Sequence, residues 1–560
     1  MKNEFYKIKK NQTLSNFIKE FEKEVKINNV DLAISFNDDS SVKGIISIGD
    51  LRRLIENKVK LNEQISKFLN KSPIIVKQKD FNNDLYSKIL KEKEKISKKL
   101  KITNVIIVDD KKRFKRIFNF KDIESNFNYK KICIVGLGHI GLPLAVHLLK
   151  KADKIIGVDQ DKKKISQLLK YKLNFYEKNL YDDLLFNIKN KKLHISSSLN
   201  NSSSEVYIVC IGTEFNNGKI NNRNLFNLAK QLGRKLKLDD LVILRGTVQV
   251  GTTKNIFLKG LLKTSKLKCG KEFNLSYMPE RLVEGKALEE MEKIPNLVSG
   301  FTDLCLDKAV SFTKTYFNNY LTLDSIEEAE IIKLTSNTYR DFKFAFANEI
   351  NRIANQNKLS GSALIKKANY GYQRNDIPLP SLGVGGFCLP KDPYLFNKSI
   401  NNLRGFSLNF NSRKLNETNE KIIFNNIRKI LKSKNFKLRK NILICGVAFK
   451  GYPETLDTRN SVSIKLGKYL KNYNCKIDFI DPLAKMFNDK KIVNISIKNN
   501  IKNINQYDGI IVANNHEYFC KVIMTNLKIN KTKNRKMIFD VWSLLNKDFV
   551  KKLNWEYYNL

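Results

Sequence analysis

The densest group of reactive side chains in this sequence lies in the segment LPSLGVGGFCLPKDP, residues 379–393. Three glycines, which would let a ligand approach the backbone, come before Cys388, and Lys391 and Asp392 follow it closely. The thiolate is the attacking form of cysteine, and neighbouring cations lower the pKa of a thiol. The spacing therefore predicts that Cys388 has a lowered pKa and attacks a carbonyl group such as an aldehyde. The alternative is an inert cysteine buried in a tight turn.

A second chemical motif, GLGHIG, stands between an apolar run and a helical stretch. Its glycines, Gly136, Gly138 and Gly141, would let a pyrophosphate approach backbone N–H groups and the positive end of a helix. Asp159 ends the next apolar run, near the roughly 20-residue spacing expected for a carboxylate that binds ribose hydroxyls. A carboxylate there would repel a 2′-phosphate, so the motif favours NAD over NADP, although Lys162, Lys163 and Lys164 weaken that preference.

Both motifs need rigid elements to hold them, and the chain alternates apolar strands with helices as parallel α/β domains do. The predicted fold class is α/β, with two Rossmann-like parallel-sheet domains joined by a central helical region and preceded by a small α/β module. The predicted boundaries are 1–127, 128–325 for the cofactor domain, 326–425 for the helical region and 426–560 for the second Rossmann-like domain. Lys333 and Asn337 are four residues apart on a predicted helix, so they share a face and could together stabilise an oxyanion.

Residues 1–127 read as two similar halves, each mixing short apolar strands with lysine-rich helices. The first half carries Gly44, Ser47 and Asp50 at a predicted strand-to-helix turn and resembles one copy of a tandem cystathionine-β-synthase-type (CBS, Bateman) module. The second half departs from the pattern, with Arg116 at the glycine position and Asn119 at the hydroxyl position. The resemblance implies a site for an adenine nucleotide, and a structural or oligomerising module is the alternative.

Composition narrows the class of protein. The formal charge of +46 comes from lysines spread from end to end, without a helix-turn-helix, a zinc finger or an aromatic-basic platform, so we expect a solvated surface and no nucleic-acid partner. The eight cysteines form no CxxC pair, which indicates neither a metal site nor a disulfide framework. No apolar run reaches the roughly 18 residues of a membrane span and no signal peptide opens the chain, so we expect a cytoplasmic protein without a membrane partner.

Ten segments, read in order from about residue 130 to 560, resemble the nucleotide-sugar 6-dehydrogenase family, which includes UDP-glucose and UDP-N-acetylhexosamine dehydrogenases. They are GLGHIGLPLA with GVDQD, YEKNL, VCIGTE, RGTVQVGTT, YMPERLVEGKALEE, EIIKLTSNTYRDFKFAFANEI, GVGGFCLPKDP, SRKLNE, GVAFKGYPETLDTRNS and FIDP. The family carries out a four-electron oxidation in which a cysteine holds the half-oxidised sugar, first as a thiohemiacetal and then as a thioester.

The resemblance implies a role for each residue that matches the family's motifs. The implied catalytic residues are Cys388, Lys333, Asn337, Asp392, Glu280 and Thr247. The implied cofactor-binding residues are Gly136, Gly138, His139, Ile140, Gly141, Asp159, Lys164, Thr213, Thr247, Glu284, Lys391 and Arg459. The implied substrate-binding residues are Glu280, Arg281, Lys333, Asn337, Arg374, Gly385 and Lys450. His139 replaces an aromatic residue that is common in the glycine turn, and we expect it to pack over the cofactor.

The resemblance thus implies an NAD-dependent enzyme that oxidises C6 of a UDP-sugar to a uronic acid for surface polysaccharide synthesis, acting as a homodimer or larger homo-oligomer. The acetamido-sugar branch, with UDP-N-acetylglucosamine or another UDP-N-acetylhexosamine, is favoured by PERLVEGKALEE and RNDIPLPSLGVGG. UDP-glucose is the alternative substrate. A two-electron hydroxyacid dehydrogenase, which needs no cysteine, and a non-enzymatic nucleotide-sensing or polyanion-binding scaffold are the alternative functions.

Overall fold

The computed structural model describes residues 5–28, 30, 32–57, 59–73, 75–77, 104–110, 112–119, 131–199, 203–216, 218–399, 407–433, 440–483, 496–498, 501, 503–529 and 536–559. The chain divides into two compact units, Met1–Asn128 and Tyr129–Leu560.

In the first unit, one strand arrangement occurs twice among the described residues. In each copy the middle strand pairs in parallel with the first strand and antiparallel with the third. The first copy contains β1 (Tyr6–Lys7), α1 (Leu14–Asn28), β2 (Leu32–Phe36), β3 (Val42–Ser47) and α2 (Ile48–Glu56). The second contains β4 (Ile75–Lys77), β5 (Asn104–Val108) and β6 (Phe114–Asn119). The two similar halves expected from the sequence are therefore present as a repeated strand order.

The turn between β3 and α2 explains the Gly-x-x-Ser-x-x-Asp pattern structurally. Ser47 caps α2, accepting a hydrogen bond from the backbone N–H of Asp50, while the Asp50 carboxylate accepts from the backbone N–H of Ser47. A side chain at Gly44 would lie 2.9 Å from Leu69 Cβ. The equivalent turn after β6 lies outside the described residues, so no capping contact can be compared for the second copy.

The second unit begins with a sheet that comprises eight strands over the described ranges, in the order β16-β15-β14-β13-β10-β7-β8-β9. The strands are β7 (Ile132–Val135), β8 (Ile155–Val158), β9 (Leu193–Ser196), β10 (Val206–Val209), β13 (Leu241–Leu244), β14 (Asn274–Tyr277), β15 (Asn296–Gly300) and β16 (Tyr320–Thr322). All neighbours are parallel except β14 and β15. β7, β10, β13 and β14 are buried along their whole length. The first three read as continuous apolar runs, as buried parallel strands do, whereas β14 also carries the polar residues Asn274 and Ser276.

Helices and a short hairpin connect these strands. The helices are α3 (Gly141–Leu148), α4 (Lys162–Leu169), α5 (Leu180–Lys189), α6 (Arg223–Gly233), α7 (Lys259–Leu262, continuing a π-helical turn Thr253–Leu258), α8 (Ala287–Lys293) and α9 (Asp303–Tyr316). The hairpin is β11 (Glu214–Asn216) and β12 (Lys219–Asn221). Because parallel neighbours need crossover connections, most of these helices cover the faces of the sheet.

Four helices follow: α10 (Ile326–Gln356), α11 (Gly361–Asn369), α12 (Asp392–Lys398) and α13 (Leu408–Ser433). They carry three of the six expected catalytic residues, Lys333, Asn337 and Asp392. Ser325 caps α10 by accepting a hydrogen bond from the backbone N–H of Glu328. The buried residues of α10 include Lys333, Asn337 and Asp341, which fall on one helical face at intervals of four.

A second parallel sheet closes the unit, with six strands over the described ranges in the order β19-β18-β17-β20-β21-β22. Its strands are β17 (Asn441–Cys445), β18 (Lys476–Ile480), β19 (Ser496–Lys498), β20 (Gly509–Val512), β21 (Lys536–Asp540) and β22 (Trp555–Asn559). Its helices are α14 (Val462–Asn472), α15 (Glu517–Ile529) and α16 (Lys547–Lys552). Numbered along the chain, this sheet and the first six strands of the preceding one both follow the doubly wound order 3-2-1-4-5-6.

The predicted fold class, two Rossmann-like domains joined by helices and preceded by a small α/β module, is confirmed. None of the helices in the described ranges is both long enough and apolar enough to cross a bilayer.

Candidate active site

Several of the expected site residues of the second unit follow the carboxyl ends of strands in its first sheet. The loop after β7 carries the glycines, β8 is followed by Asp159, β10 by Thr213, β13 by Thr247 and β14 by Glu280. Since β7 and β10 begin the two halves of the sheet, the chain reverses its strand order between them and leaves a crevice there. Ligands of doubly wound folds bind in such a crevice.

The glycine turn has the geometry that a diphosphate needs. Gly136 has a positive φ of 97°, and a Cβ on Gly141 would lie 1.8 Å from the carbonyl oxygen of Gly136. A Cβ on Gly138 would have no heavy atom within 4 Å. The first and third glycines are thus required by the turn itself, whereas the second leaves open space beside the backbone.

Asp159 is held in place by three donors: the backbone N–H groups of Leu137 and Asp161, and the ammonium of Lys164 at 2.7 Å. Burial alone would raise the pKa of Asp159, but these donors outweigh it and hold the pKa below its ordinary value. Asp159 is therefore a carboxylate at neutral pH, and the ammonium of Lys164, another expected cofactor-binding residue, lies beside it.

A cavity of ≈ 520 Å³ opens between the two sheets and α10. Its volume lies in the usual range of roughly 300–1,000 Å³ for small-molecule sites. Twelve of the residues expected from the sequence line it: Gly138, His139, Ile140, Glu280, Arg281, Glu284, Lys333, Asn337, Gly385, Cys388, Lys450 and Arg459. One cavity therefore contains the expected nucleophile, the glycine turn and basic groups from the second sheet.

Lys333 and Glu280 form a buried ion pair in this cavity, with Nζ 3.0 Å from Oε1. The other Glu280 oxygen accepts a hydrogen bond from the backbone N–H of Leu282. Burial favours the neutral form of both groups, but their mutual attraction dominates, so the pKa of Glu280 is lowered and the pKa of Lys333 is raised. A carboxylate and an ammonium are thus present together beside Cys388 at neutral pH.

The thiol of Cys388 does not behave as the sequence predicts. Its pKa is raised to about 11, chiefly by burial and then by the Asp392 carboxylate, and Lys391 and Lys333 offset only part of the rise. The prediction of a lowered pKa is wrong, because burial outweighs the two cations and the carboxylates of Asp392 and Glu280 oppose their effect. At neutral pH the thiol is protonated and needs a base when it attacks.

Asp392 is fully buried at the start of α12. The amide of Asn337 donates to one of its oxygens at 2.6 Å, and the ammonium of Lys391 donates to the other. Neither Asp392 nor Lys391 is among the cavity-lining residues of the described ranges, whereas Asn337 is. Asp392 therefore reaches the cavity through the amide that it orients.

The second sheet supplies cations to the cavity wall. The ammonium of Lys450 donates to the backbone carbonyl of Glu284 at 2.6 Å, and burial lowers the pKa of Lys450 to about 8. Arg459 is held by the Asp457 carboxylate through Nε and Nη2 and lies over the ring of Phe387. These groups place positive charge where an anionic ligand would enter.

His139 packs against Phe175, with ring centroids 4.3 Å apart, and its Nδ1 lies 3.1 Å from a Glu284 oxygen. The hydroxyl of Thr455, which follows the second sheet's first strand, donates to the same Glu284 oxygen. Glu284 thus links the glycine turn to the second sheet.

Other expected residues lie elsewhere. Thr213 and Thr247 are buried at strand ends outside the cavity lining, and the backbone N–H of Thr213 donates to the carbonyl of Thr247 at 3.0 Å. Arg374 is exposed on the loop after α11 and stacks over Tyr372 instead of entering the cavity.

The cavity also contains residues that the sequence analysis missed: Cys210, Ser336, Arg340, Phe387 and Phe449. Ser336 and Arg340 follow Lys333 by three and seven residues on α10, so helical periodicity alone could have found them. Cys210, Phe387 and Phe449 are not found by periodicity, but each lies within one of the family-like segments VCIGTE, GVGGFCLPKDP and GVAFKGYPETLDTRNS.

Comparison with protein-family models agrees with this geometry. Residues 130–315 match the NAD binding domain, residues 327–420 the central domain and residues 443–547 the UDP binding domain of the UDP-glucose/GDP-mannose dehydrogenase family. The chain belongs to this family. It is an NAD-dependent dehydrogenase of the nucleotide-sugar type.

This dehydrogenase matches individual relatives over most of their own length. A UDP-N-acetyl-D-mannosamine dehydrogenase from Methanococcus maripaludis is 27% identical over 434 residues, 76% of this chain and 96% of that protein. A UDP-N-acetyl-D-glucosamine 6-dehydrogenase from Salmonella typhi is 28% identical over 404 residues, 70% of this chain and 90% of that protein. The solved UDP-D-ManNAc dehydrogenase from Pyrococcus horikoshii superimposes with a TM-score of 0.66 at 25% identity, covering 76% of this chain and 98% of that one.

The residues of this dehydrogenase fit NAD. Gly138 leaves open space at the mouth of α3, Asp159 is a buried carboxylate at the end of β8, and the hydroxyl of Thr213 is buried without a hydrogen-bond partner in the described part of the chain. A buried unsatisfied hydroxyl costs stability unless a ligand completes it. The predicted cofactor, NAD, is confirmed by the family's NAD binding domain.

Proposed function

We propose that this dehydrogenase oxidises C6 of a UDP-sugar from alcohol to carboxylate in two steps, with Cys388 holding the sugar between them. The observation that carries the proposal is that Cys388 shares one cavity with the Lys333–Glu280 ion pair, the glycine turn and the cations of the second sheet. The relatives' names, UDP-N-acetyl-D-mannosamine dehydrogenase and UDP-N-acetyl-D-glucosamine 6-dehydrogenase, agree with it.

Bound NAD, held by the glycine turn and Asp159, would accept the hydride in each oxidation. In the first step the alcohol at C6 loses a proton and a hydride and becomes an aldehyde. Lys333 and Asn337 stabilise the negative oxygen, since both line the cavity from one face of α10. Lys450 and Arg459 offset the charge of the substrate's diphosphate.

The Cys388 sulfur then adds to the aldehyde carbon, and its proton passes to a base. Glu280 is the candidate base, because its carboxylate lines the same cavity as the thiol. A second hydride leaves the thiohemiacetal to give a thioester. Water, deprotonated by Glu280, breaks the C–S bond and returns the thiol.

The overall stoichiometry is one UDP-sugar, one water and two NAD converted to one carboxylate, two NADH and three protons. Asp392 and Lys391 act through Asn337, because Asp392 is fully buried and engaged by both. Thr247 supports the loop that carries Thr213.

The preferred substrate is a UDP-N-acetylhexosamine. Four apolar side chains line one part of the cavity, where an acetamido methyl group would be desolvated favourably: Leu282, Val283, Ala287 and Ile294. UDP-glucose, which lacks that methyl group, is the alternative.

The test counts NADH formed per sugar consumed when the full chain is incubated with NAD and UDP-N-acetylglucosamine, UDP-N-acetylmannosamine or UDP-glucose. We expect two NADH per sugar and the highest kcat/KM with an acetamido sugar. Cys388→Ser should form no acid above about a thousandth of the wild-type rate. One NADH per sugar would instead favour simple two-electron alcohol oxidation, and normal acid production by Cys388→Ser would exclude a covalent intermediate on this cysteine.

The working assembly is a homodimer in this proposal. Tyr339, Phe346 and Ile353 are exposed at intervals of seven on α10, opposite the catalytic face. An apolar stripe of this kind on a long helix suits self-association with a second copy.

The first unit is, in this proposal, a tandem CBS-type module, supported by its repeated strand order and by the Gly44, Ser47 and Asp50 turn. An adenine nucleotide would have to compete with the capping contacts of Ser47 and Asp50, so a structural role remains the alternative. Calorimetric titration of the full chain with AMP and ATP distinguishes the two.

A further inference from the structure

Arg413 is a buried guanidinium on α13 that contacts the loop carrying Cys388. Its side chain is 2% exposed, and its two terminal nitrogens point at the carbonyl oxygens of Val384 and Leu389, each at 3.5 Å. These carbonyls stand four residues before and one residue after the nucleophile. One side chain thus spans the segment that contains Cys388.

Asp341 holds Arg413 in this position. Its carboxylate lies 2.7 Å from Nη1 of Arg413 and also accepts from the amide of Asn416 at 3.0 Å. Asp341 follows Asn337 by four residues on the face of α10 that already carries Lys333. Three residues on one face of α10 therefore each contact a different part of the site. Lys333 contacts Glu280, and Asn337 contacts Asp392. Asp341 contacts Arg413, which in turn contacts the loop that carries Cys388.

Stability does not account well for this pair. Burial raises the pKa of Asp341 to about 6 although Arg413 lowers it, and one Asp341 oxygen has no hydrogen-bond partner among the described residues. Desolvating two charges costs so much that apolar residues of similar volume often serve a fold equally well. The contacts with two carbonyls that flank Cys388 indicate a different purpose.

We propose that Arg413, held by Asp341, is a positioning residue that sets where the Cys388 sulfur stands relative to Lys333 and Glu280. This rests on the proposed function, in which Cys388 carries the sugar. The planar fork of arginine is essential, because two nitrogens reach two carbonyls at once, whereas a lysine ammonium on a flexible stem reaches one.

The test compares wild type with Arg413→Lys in the full chain. We expect kcat with the UDP-sugar to fall by about 10–100-fold, because small misplacements of a reacting group cost that much. The KM for the UDP-sugar and the KM for NAD should each change by less than about twofold. The rate at which iodoacetamide alkylates Cys388, followed by mass spectrometry of its peptide from pH 7 to 10, should shift by at least about threefold. Arg428→Lys, the same change on the same helix, is the matched control. It should leave kcat, both KM values and the alkylation rate unchanged.

A normal kcat and a normal alkylation profile in Arg413→Lys would overturn the proposal. So would a loss of kcat that disappears once rates are expressed per folded molecule, since that is the signature of a purely structural pair. The double variant Asp341→Asn with Arg413→Gln removes both charges, so no unpaired charge is buried. Its monodisperse folded fraction should show the same loss of kcat and the same change in the alkylation rate. The two hypotheses fail separately. Acid production by Cys388→Ser would contradict the proposed function. The effect of Arg413 on the Cys388 sulfur could still be measured, because alkylation does not require turnover.

Discussion

At the scale of single residues, Lys450 makes the positive charge of the cavity depend on pH. Its pKa is lowered to about 8, chiefly by burial and in smaller part by the charge of Arg340, while Glu284, Glu177 and Glu290 oppose the shift. A lysine with a lowered pKa is cationic below that pKa and neutral above it. The ammonium that would offset the diphosphate is therefore lost as pH rises through about 8.

We expect kcat/KM for the UDP-sugar, which reports the free enzyme, to fall by about tenfold between pH 7 and 9.5. Lys450→Met should show the lower value at every pH and lose this inflection. Steady-state rates across that pH range check the expectation. An inflection that persists in Lys450→Met would assign it to another group.

Cys388 illustrates how far residue type and spacing can predict a site. The cysteine, the lysine and the aspartate of GFCLPKD were recognisable in the sequence as candidate reactive side chains. Cys388 lines the cavity. The direction of its pKa was not predictable, because it depends on burial and on Lys333 and Glu280, which are distant in sequence. Arg413 was unpredicted for the same reason.

At the scale of elements, the turn between β7 and α3 separates two kinds of glycine. Gly141 is needed by the backbone, since an added Cβ would lie 1.8 Å from the Gly136 carbonyl oxygen. Gly138 has no such neighbour, so the turn itself does not require a glycine there.

Gly141→Ala should therefore lower the free energy of unfolding by about 3 kcal/mol or more. Gly138→Ala should change it by no more than about 1 kcal/mol and instead raise KM for NAD. Urea unfolding and NAD titration of both variants provide the comparison. Equal loss of stability in the two would contradict the assignment.

The elements themselves were largely predictable. Buried parallel strands give continuous apolar runs, and the glycine turn stands where such a run meets a helix, so β7, α3 and β8 could be read locally. The helix α10 was predicted from its period, and Lys333 and Asn337 do share one of its faces. The pairing of that face with Glu280, Asp392 and Arg413 could not be read, because each partner comes from a different segment.

At the scale of the whole molecule, the exposed stripe on α10 bears on assembly. Phe346 is 45% exposed and Ile353 58% exposed, and covering them with a second copy would remove apolar surface from water.

Phe346→Lys combined with Ile353→Lys should convert a dimer to a monomer in light scattering coupled to size exclusion. A lysine at Phe186, which is 58% exposed on α5, is the control and should leave the mass unchanged. A wild-type chain that is monomeric at micromolar concentration would refute the proposed homodimer.

The amino-acid sequence by itself determined the order of strands and helices, the glycine turn, the family and the candidate nucleophile, because each of these depends on neighbouring residues or on short periodic spacings. Tertiary structure alone decided which residues share the cavity, why Cys388 is a protonated thiol and not a thiolate, and why Arg374 lies outside. Those outcomes depend on burial and on Coulomb interactions between groups far apart in the chain, and both quantities exist only once the chain has folded.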